Sequence, residues 1–254
     1  MLVTVLASGS KGNSTLIKTD KLNILIDAGM NLKYLKEKLG EVNTKPEDIN
    51  YIFLTHTHKD HVGALSTFIK KNHPVLCMGK KMFMDLEYLN NYDDIVILID
   101  ELDLEDVHID IIKTSHDASE SMGYVFTSGD SSLVYITDTG YINNKYFKKL
   151  YNKNMYVMES NHDVEMLMHG PYPKWLKQRV WSDKGHLSNE KSSFYLSKLI
   201  GNNTKNVVLA HLSHENNTEE IAMNTLKSTL KEYNIEFNNI SIAKQNEKSE
   251  NFNI

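Results

Sequence analysis

The chain has 254 residues, of which 41% are hydrophobic, enough to bury one large layered core or two small ones. Its formal net charge of −5 provides no general basic field, so a polyanionic partner would have to bind a local basic patch. The single cysteine, Cys77, excludes an internal disulfide framework, and no apolar segment reaches the roughly 18 residues that a membrane span needs. The first residues lack the pattern of a secretion signal, and we expect a cytoplasmic globular protein that does not associate with membranes.

Short β-rich runs and helical patterns alternate along the chain. Strands are predicted at 3–6, 15–18, 23–26, 51–54, 95–98, 107–112, 124–127, 133–137, 155–158 and 207–210. Helices are predicted at 32–39, 62–71, 80–90, 144–151, 189–199 and 218–232, with Ser188 capping the fifth. Early strands come in hairpin-like pairs and later ones alternate with helices. This mixture favours an α/β fold of two sheets with helices outside, a four-layer αββα sandwich.

We expect one domain over residues 1–243. The last residues, 244–254, have a polar composition that is typical of a segment with no apolar surface to bury. The sequence therefore predicts a frayed C-terminal tail.

Polar residues follow six of the predicted strands. In α/β folds the carboxyl ends of strands gather at one edge, where binding and catalytic sites form. One residue in such a position is more often part of a loop or a cap, but six repetitions favour a shared site. These residues are Asp27, His56, His116, Asp138, Glu159 and His211.

The densest of these positions is the segment His56-Thr57-His58-Lys59-Asp60-His61, which directly follows an apolar strand. Imidazole and carboxylate groups are the ligands that borderline divalent metals take. The spacing lets His56 and His58 face one ion, while Asp60 and His61 face a second ion nearby. A polar loop that is rich in histidine by chance is the alternative, but the chain has only 11 histidines in 254 residues.

Single residues further along the chain can complete both metal sites. His116 can join the first pair of histidines, and His211 can join Asp60 and the last histidine of the motif. Asp138 can bridge the ions, because a carboxylate has two oxygens. Asp27 fits better as a residue that accepts a hydrogen bond from a ligand imidazole and so fixes its tautomer. This ligand set suits two divalent ions, Zn²⁺ or Mn²⁺, with Fe possible.

In this order the motifs resemble those of the metallo-β-lactamase superfamily: strand-Asp-x-Gly, His-x-His-x-Asp-His, a single His, strand-Asp and strand-His. The resemblance covers residues 3–242 and implies the superfamily's fold and its metal-dependent hydrolysis. Lactamase-type members carry a cysteine ligand where this chain has Asp138, and Cys77 lies far from every ligand motif. The bridging aspartate is instead typical of the phosphodiesterase, nuclease and thiolester-hydrolase branches.

The segment Gly185-His186-Leu187-Ser188 is similar to the catalytic-histidine segment of the tRNA 3′-processing endonucleases, and Glu159 matches the acidic residue that orients that histidine. The resemblance implies that His186 donates a proton to the leaving alkoxide. Together with Asp60, these two are the catalytic residues we expect. A helix-capping or surface role is the alternative for His186. The chain lacks the Gly/Pro-rich arm with which those endonucleases grip tRNA.

A closer resemblance is to the compact YycJ/WalJ group of bacterial nuclease-like proteins, carried by residues 7–14, 159–163, 185–186 and 210–213. It implies a DNA exonuclease with 5′-to-3′ polarity, linked to repair. One alternative is a small-molecule metallohydrolase of a thiolester or a cyclic phosphodiester. Another is a metal-binding module without catalysis.

The segment 172–184 holds the only arginine and both tryptophans of the chain and runs directly into His186. Interleaved basic and aromatic residues suit a single nucleic-acid strand, because arginine binds phosphate and tryptophan stacks on unpaired bases. We therefore expect single-stranded DNA to contact Lys174, Lys177 and Arg179, with His162 as a further contact. The alternatives are an amphipathic helix with buried tryptophans, and a packed polar role for His162.

One glycine-rich turn, 9–14, has two interpretations that the sequence leaves open. Its backbone N–H groups could bind an anion. It could equally be a hairpin turn that supports the site.

Overall fold

The computed structural model describes all residues from 1 to 254. It contains fourteen strands and nine α-helices. The strands are β1 (Leu2–Ala7), β2 (Ser14–Lys18), β3 (Asn23–Ile26), β4 (Tyr51–Phe53), β5 (Val75–Met78), β6 (Ile95–Ile97), β7 (Glu101–Leu104), β8 (Val107–Lys113), β9 (Met122–Ser128), β10 (Ser131–Ile136), β11 (Met155–Glu159), β12 (Asn206–Ala210), β13 (Ile240–Ile242) and β14 (Phe252–Asn253).

The helices lie between these strands. They are α1 (Leu32–Gly40), α2 (Lys59–Val62), α3 (Leu65–Asn72), α4 (Lys80–Asp85), α5 (Phe147–Leu150), α6 (Val164–His169), α7 (Lys174–Trp181), α8 (Asn189–Leu199) and α9 (Glu219–Glu232). Three short 3₁₀ helices occupy Pro46–Asp48, Glu87–Leu89 and Asn144–Tyr146. None of the helices combines the length and the apolar composition that crossing a membrane requires.

The strands form two seven-stranded sheets of similar design. The first has the order β14-β1-β2-β3-β4-β5-β6 and the second the order β13-β12-β11-β10-β9-β8-β7. In each sheet, the antiparallel hairpins come first in the chain and the parallel strands follow. Each half of the chain therefore builds one sheet, and β14 returns to the edge of the first.

The two sheets pack face to face through aromatic and aliphatic side chains. The ring of Phe53 on β4 meets the rings of Tyr124 and Phe126 on β9, with centroids 5.4 and 5.3 Å apart in edge-to-face contact. All three side chains are fully buried, within a core cluster of 43 residues to which both sheets contribute. This shared core joins the two halves of the chain.

Helices cover the outer faces of both sheets. Leu35 of α1 and Phe68 of α3 pack into the core cluster with the first sheet. A second cluster of 16 buried residues joins the second sheet to α8 and α9 through Leu196, Leu226 and Leu230. The predicted four-layer αββα sandwich is confirmed, since a helix with one apolar stripe must bury it against a sheet.

The predicted elements agree with the structure most closely where their apolar pattern is long. Helix α8 begins after Ser188, whose side chain accepts a hydrogen bond from the Lys191 amide, as predicted. The predicted helix at 62–71 begins later, as α3 at Leu65, and the short helix α2 precedes it. The predicted helix at 80–90 ends at Asp85, before a 3₁₀ turn. Four short strands (β5, β7, β13 and β14) and helices α6 and α7 were not predicted as such.

The C-terminal segment does not fray, so this part of the prediction is wrong. Strand β14 pairs with β1 in register Val3 to Phe252, and the Ile254 amide donates to the Met1 carbonyl at 3.0 Å. Without the tail, β1 would be an edge strand with unpaired backbone N–H and C=O groups, and β14 forms hydrogen bonds with them. The side chains of Phe252 and Ile254 are also buried, which composition averaged over the tail does not reveal.

The buried edge strand gives a stability prediction. Replacing Phe252 by Ala removes a buried aromatic side chain, and we expect it to lower the free energy of unfolding by about 3 kcal/mol in urea denaturation. The matched control is Asn253→Ala on the same strand, whose side chain is exposed and whose loss should cost less than about 0.5 kcal/mol. Equal stability of both variants would contradict the packing of this strand.

Candidate metal centre

The carboxyl ends of the strands converge at one edge of the sandwich. Strands β3 and β4 are parallel neighbours in the first sheet, and β10, β11 and β12 are parallel neighbours in the second. Strand β8 runs in the same direction as β10, because both are antiparallel to β9. The six polar residues predicted to share a site lie at or just beyond the ends of these strands, and the structure brings them together.

A first group of three imidazoles forms where β4 and β8 end. One ring nitrogen from each of His56, His58 and His116 lies within 4.8 Å of the others. The His116 Nδ1 lies 3.0 Å from the Gly185 carbonyl oxygen, which can only accept, so Nδ1 carries the proton. This leaves the His116 Nε2 lone pair facing the group, 3.3 Å from Nδ1 of His58. The arrangement matches the predicted ligands of the first ion.

A second group lies beside the first. Ligand atoms of Asp60, His61 and His211 are within 4.8 Å of one another. The His61 Nδ1 donates to Asp27 Oδ2 at 2.7 Å, so its Nε2 is free to accept. Asp27 also accepts from the amide and the hydroxyl of Thr55, both at 2.8 Å. Asp27 therefore has the predicted geometry: its carboxylate orients the imidazole of His61 and does not itself face the potential metal ligands.

Asp138 lies between the two groups. Its Oδ2 is 3.3 Å from His61 Nε2, and its Oδ1 is 3.5 Å from His211 Nε2 and 3.9 Å from His116 Nε2. The carboxylate is buried, with an exposure of 2%. A single side chain thus reaches both sets of predicted ligands.

The electrostatics of these groups favour a bound cation. Burial would raise the pKa of Asp138, but the nearby imidazoles of His211 and His61 hold it well below its usual value. In return, the carboxylates overcome the effect of burial on His211 and raise its pKa to about 10. Burial lowers the pKa of His56 well below its usual value, which keeps its lone pair available. The carboxylates therefore attract positive charge. Protons and metal ions compete for the same ligand atoms.

The backbone at three strand ends adopts a conformation that few residues tolerate. Asp27, Asp138 and His211 have φ angles of 60°, 55° and 55°, in the left-handed region. Aspartate and histidine tolerate this region better than most residues do, yet the conformation carries strain. The sharp turn lets each side chain leave its strand and reach the site at this edge.

The motif around Asp27 also needs a glycine. A side chain at Gly29 would overlap the backbone carbonyl oxygen of Asp60 and the backbone nitrogen of Asn13. The side-chain Nδ2 of Asn13 lies 3.3 Å from Asp60 Oδ2 and 3.0 Å from His61 Nε2. Asn13 is a site residue that the sequence analysis missed, although it lies within the glycine-rich turn.

That turn supports the site through the side chain of Asn13. The amide of Gly9 donates to Asn13 Oδ1, the amide of Lys11 to Gln245 Oε1, and the amide of Gly12 to the Gly9 carbonyl. These three backbone N–H groups of the turn are therefore engaged within the protein. The hairpin interpretation is the one that the structure supports.

His186 lies beside both groups, with its Nδ1 3.6 Å from Asp138 Oδ1. Its Nδ1 donates to Glu159 Oε1 at 2.7 Å, and its ring stacks on that of His211 with centroids 5.3 Å apart. Glu159 Oε2 accepts from the amides of Thr139 and Leu187, both at 3.0 Å. Burial would raise the pKa of Glu159, but the charge of His186 and the side-chain hydrogen bonds of His186 and His211 lower it to about 2. The carboxylate is thus a fixed anionic support for the imidazole.

The basic segment is an exposed helix beside the first group. Trp175 and Trp181 on α7 are 65% and 53% exposed, so the alternative with buried tryptophans is wrong. Arg179 donates through Nε to Asp117, whose other oxygen is 3.3 Å from His116 Nε2.

The predicted substrate residues have different environments. Lys174 is exposed at the start of α7, whereas the Lys177 ammonium donates to the Met168 carbonyl at 2.7 Å. His162 is completely buried and cannot contact a substrate, so its prediction as a contact is wrong. The alternative, a packed polar residue, agrees with its hydrogen bond to Asn161, at 3.4 Å.

The two imidazole groups joined by a carboxylate, at one edge of an αββα sandwich, define a metal-dependent hydrolase. A sequence model of the metallo-β-lactamase superfamily matches residues 7–211. The chain belongs to this superfamily, as its motifs predicted.

Relatives of known name agree with this assignment. The chain is 39% identical over 234 residues to exodeoxyribonuclease WalJ of Streptococcus pneumoniae, covering 89% of this chain and 87% of that protein. It is 35% identical over 234 residues to exodeoxyribonuclease YycJ of Bacillus anthracis, covering 90% and 89%. The solved structure of the metallo-β-lactamase fold protein YhfI from Bacillus subtilis matches with a TM-score of 0.71 at 18% identity, covering 98% of each chain. The resemblance to the YycJ/WalJ group is confirmed.

Burial of His162 predicts a pH-dependent stability. Burial lowers the pKa of this imidazole to about 4, so the folded state stays neutral while the unfolded state takes up a proton below about pH 6.5. Stability is therefore lost as the pH falls from about 6.5 towards 4. We expect His162→Gln to remove up to about 2 kcal/mol of the fall in unfolding free energy between about pH 7 and pH 5.

Urea denaturation of both proteins with a chelator present measures this difference, because the chelator keeps metal release from contributing. An identical pH dependence of wild type and variant would contradict a neutral buried imidazole.

Proposed function

We propose that this protein is a DNA exonuclease that uses two divalent metal ions to hydrolyse phosphodiester bonds, with 5′-to-3′ polarity. The observation that carries the proposal is the His186–Glu159 pair beside two potential ligand groups that share Asp138. The names of the WalJ and YycJ relatives, both exodeoxyribonucleases, support DNA as the substrate.

Unpartnered polar atoms support the metal assignment. His56 Nε2, His211 Nε2 and Asp138 Oδ2 are buried without a hydrogen-bond partner. Leaving such atoms without a partner costs free energy, unless a bound ligand contacts them. Their donor types, imidazole nitrogen and carboxylate oxygen, suit Zn²⁺ or Mn²⁺, with Fe also compatible.

Each ion would have its own ligands. His56, His58 and His116 would hold one, Asp60, His61 and His211 the other, and Asp138 would contact both. When bound, such an ion polarises a phosphoryl oxygen and lowers the pKa of water from 15.7 to about 7.

The protein's own residues would manage the leaving group. His186 has its Nδ1 held by Glu159, so Nε2 is the atom that can donate a proton to the departing oxygen. Glu159 acts as a positioning residue, because its second oxygen is fixed by two backbone amides. The side chain of His186 is 18% exposed, which leaves it accessible to a substrate at the rim of the site.

A single DNA strand would approach along α7. Trp175 and Trp181 present exposed rings on which unpaired bases can stack. Arg179 bonds Asp117 through Nε only, so its other guanidinium nitrogens can bind phosphate beside the first group of ligands. Lys174 is also exposed and adds positive charge at the start of the helix, whereas the ammonium of Lys177 is already engaged.

Replacing His186 by Ala tests the proton donor. We expect turnover of end-labelled single-stranded DNA to fall by roughly 10²–10⁴-fold, because the leaving oxygen loses its proton source. Metal content, measured by elemental analysis, should stay at the wild-type level. His169→Ala is the matched control, since this imidazole is exposed on α6. Loss of metal from His186→Ala would make His186 a ligand and overturn its assigned role.

Salt dependence tests the nucleic-acid substrate. Affinity for a single-stranded oligonucleotide should fall steeply with salt, with a logarithmic slope of about −0.7 per phosphate contact. Arg179→Ala should reduce the magnitude of this slope by about 0.7, the value of one phosphate contact. Lys36→Ala, at an exposed position of α1, should leave the slope unchanged. Fluorescence anisotropy in the His186→Ala background measures binding without degradation. Affinity that is insensitive to salt would favour a small thiolester or cyclic phosphodiester as the substrate.

A further inference from the structure

A cavity of about 590 Å³ adjoins the second group of potential ligands. Asp60 belongs to both, since it lines the cavity and lies 3.4 Å from His61 Nε2. The other polar side chains that line the cavity come from Ser10, Lys11, Asn31 and Lys59. The volume is within the range of pockets that bind small ligands, and it can accept one nucleotide.

The charge of this cavity suits an anion. The ammonium groups of Lys11 and Lys59 form no ion pair and no hydrogen bond. Several other lysines of the chain do form such contacts. Asp60 is the one carboxylate of the lining, and it is directed to His61 and His211. The two lysine charges are therefore available to a ligand.

A neighbouring cavity shows that this charge is a local property. It has a volume of about 400 Å³, and Ser8 and Ser213 are among the residues that line it. Its one lysine, Lys244, is paired with Glu247 at 3.3 Å, and a second carboxylate, Glu219, also lines it. This second cavity offers no uncompensated positive charge.

The position of the lysine-lined cavity relates it to the proposed path of the strand. Arg179 and the exposed tryptophans adjoin the first ligand group, through Asp117 and His116. The cavity adjoins the second group, through Asp60. A strand that lies on α7 and crosses both groups would reach this cavity with its end.

We propose that this cavity binds the terminal phosphate monoester of the strand that is degraded, with Lys11 and Lys59 as its cationic contacts and Ser10 as a hydrogen-bond donor. A terminal monoester carries about −1.5 to −2 charges at neutral pH, compared with −1 for each internal diester. Two free lysines at this place thus distinguish the end of a strand from its interior. The inference rests on the proposed nuclease function and deepens it.

Three oligonucleotides of one sequence test the proposal: one with a 5′-phosphate, one with a 3′-phosphate and one with hydroxyls at both ends. The metal-loaded wild-type protein should degrade one phosphorylated strand with a kcat/KM about 10-fold or more above that of the hydroxyl strand. Lys11→Ala/Lys59→Ala should abolish this preference. Lys36→Ala/Lys70→Ala removes two exposed lysines outside the cavity and should retain it.

Hydrolysis of a chromogenic bis-ester and the metal content are measured on the same preparations, and both should be equal in all three proteins. A preference that follows the 5′-phosphate supports the subsite with the proposed polarity, and one that follows the 3′-phosphate supports the subsite with the opposite polarity.

Two results would overturn the subsite alone. They are wild-type degradation without any preference for a phosphorylated end, and an equal loss of strand and bis-ester turnover in Lys11→Ala/Lys59→Ala. A wild-type protein that hydrolyses the bis-ester but degrades no strand would overturn the nuclease function, and the subsite with it.

Discussion

The buried carboxylate of Asp138 is the constraint on which the rest of the site depends. An unpaired charge in the interior of a protein is costly, so the structure must surround it with compensating groups. Here those groups are imidazoles from both sheets, among them His61 and His211. The same requirement connects the two halves of the chain at this edge. Asp138 follows a strand of the second sheet, whereas His61 lies on α2, after a strand of the first sheet.

A layer of hydrogen bonds outside the imidazoles fixes their orientation. Asp27 holds His61, the Gly185 carbonyl holds His116, and Glu159 holds His186. Each bond places the proton on Nδ1 of its ring and directs Nε2 to the centre of the site. The strained backbone at Asp27 and Asp138 belongs to the same arrangement, since it turns these side chains out of their strands.

The surroundings of the site have two different flanks. On one, α7 exposes aromatic rings and a guanidinium next to the first ligand group. On the other, Lys11 and Lys59 line a cavity next to the second. A net charge of −5 does not conflict with a polyanionic substrate, because the positive groups that matter are concentrated where the strand would lie.

The sequence by itself determined the αββα architecture and the residues that meet at its edge, because periodic apolar runs define strands and helices and the ligand motifs follow those strands directly. It did not reveal that Phe252 and Ile254 complete the first sheet, since that depends on an unpaired edge supplied by residues far away in the chain. Nor did it assign Asn13 to the site, bury His162 or expose both tryptophans. These outcomes are decided by which surfaces the two sheets and their helices cover, and that coverage exists only once distant segments have packed together.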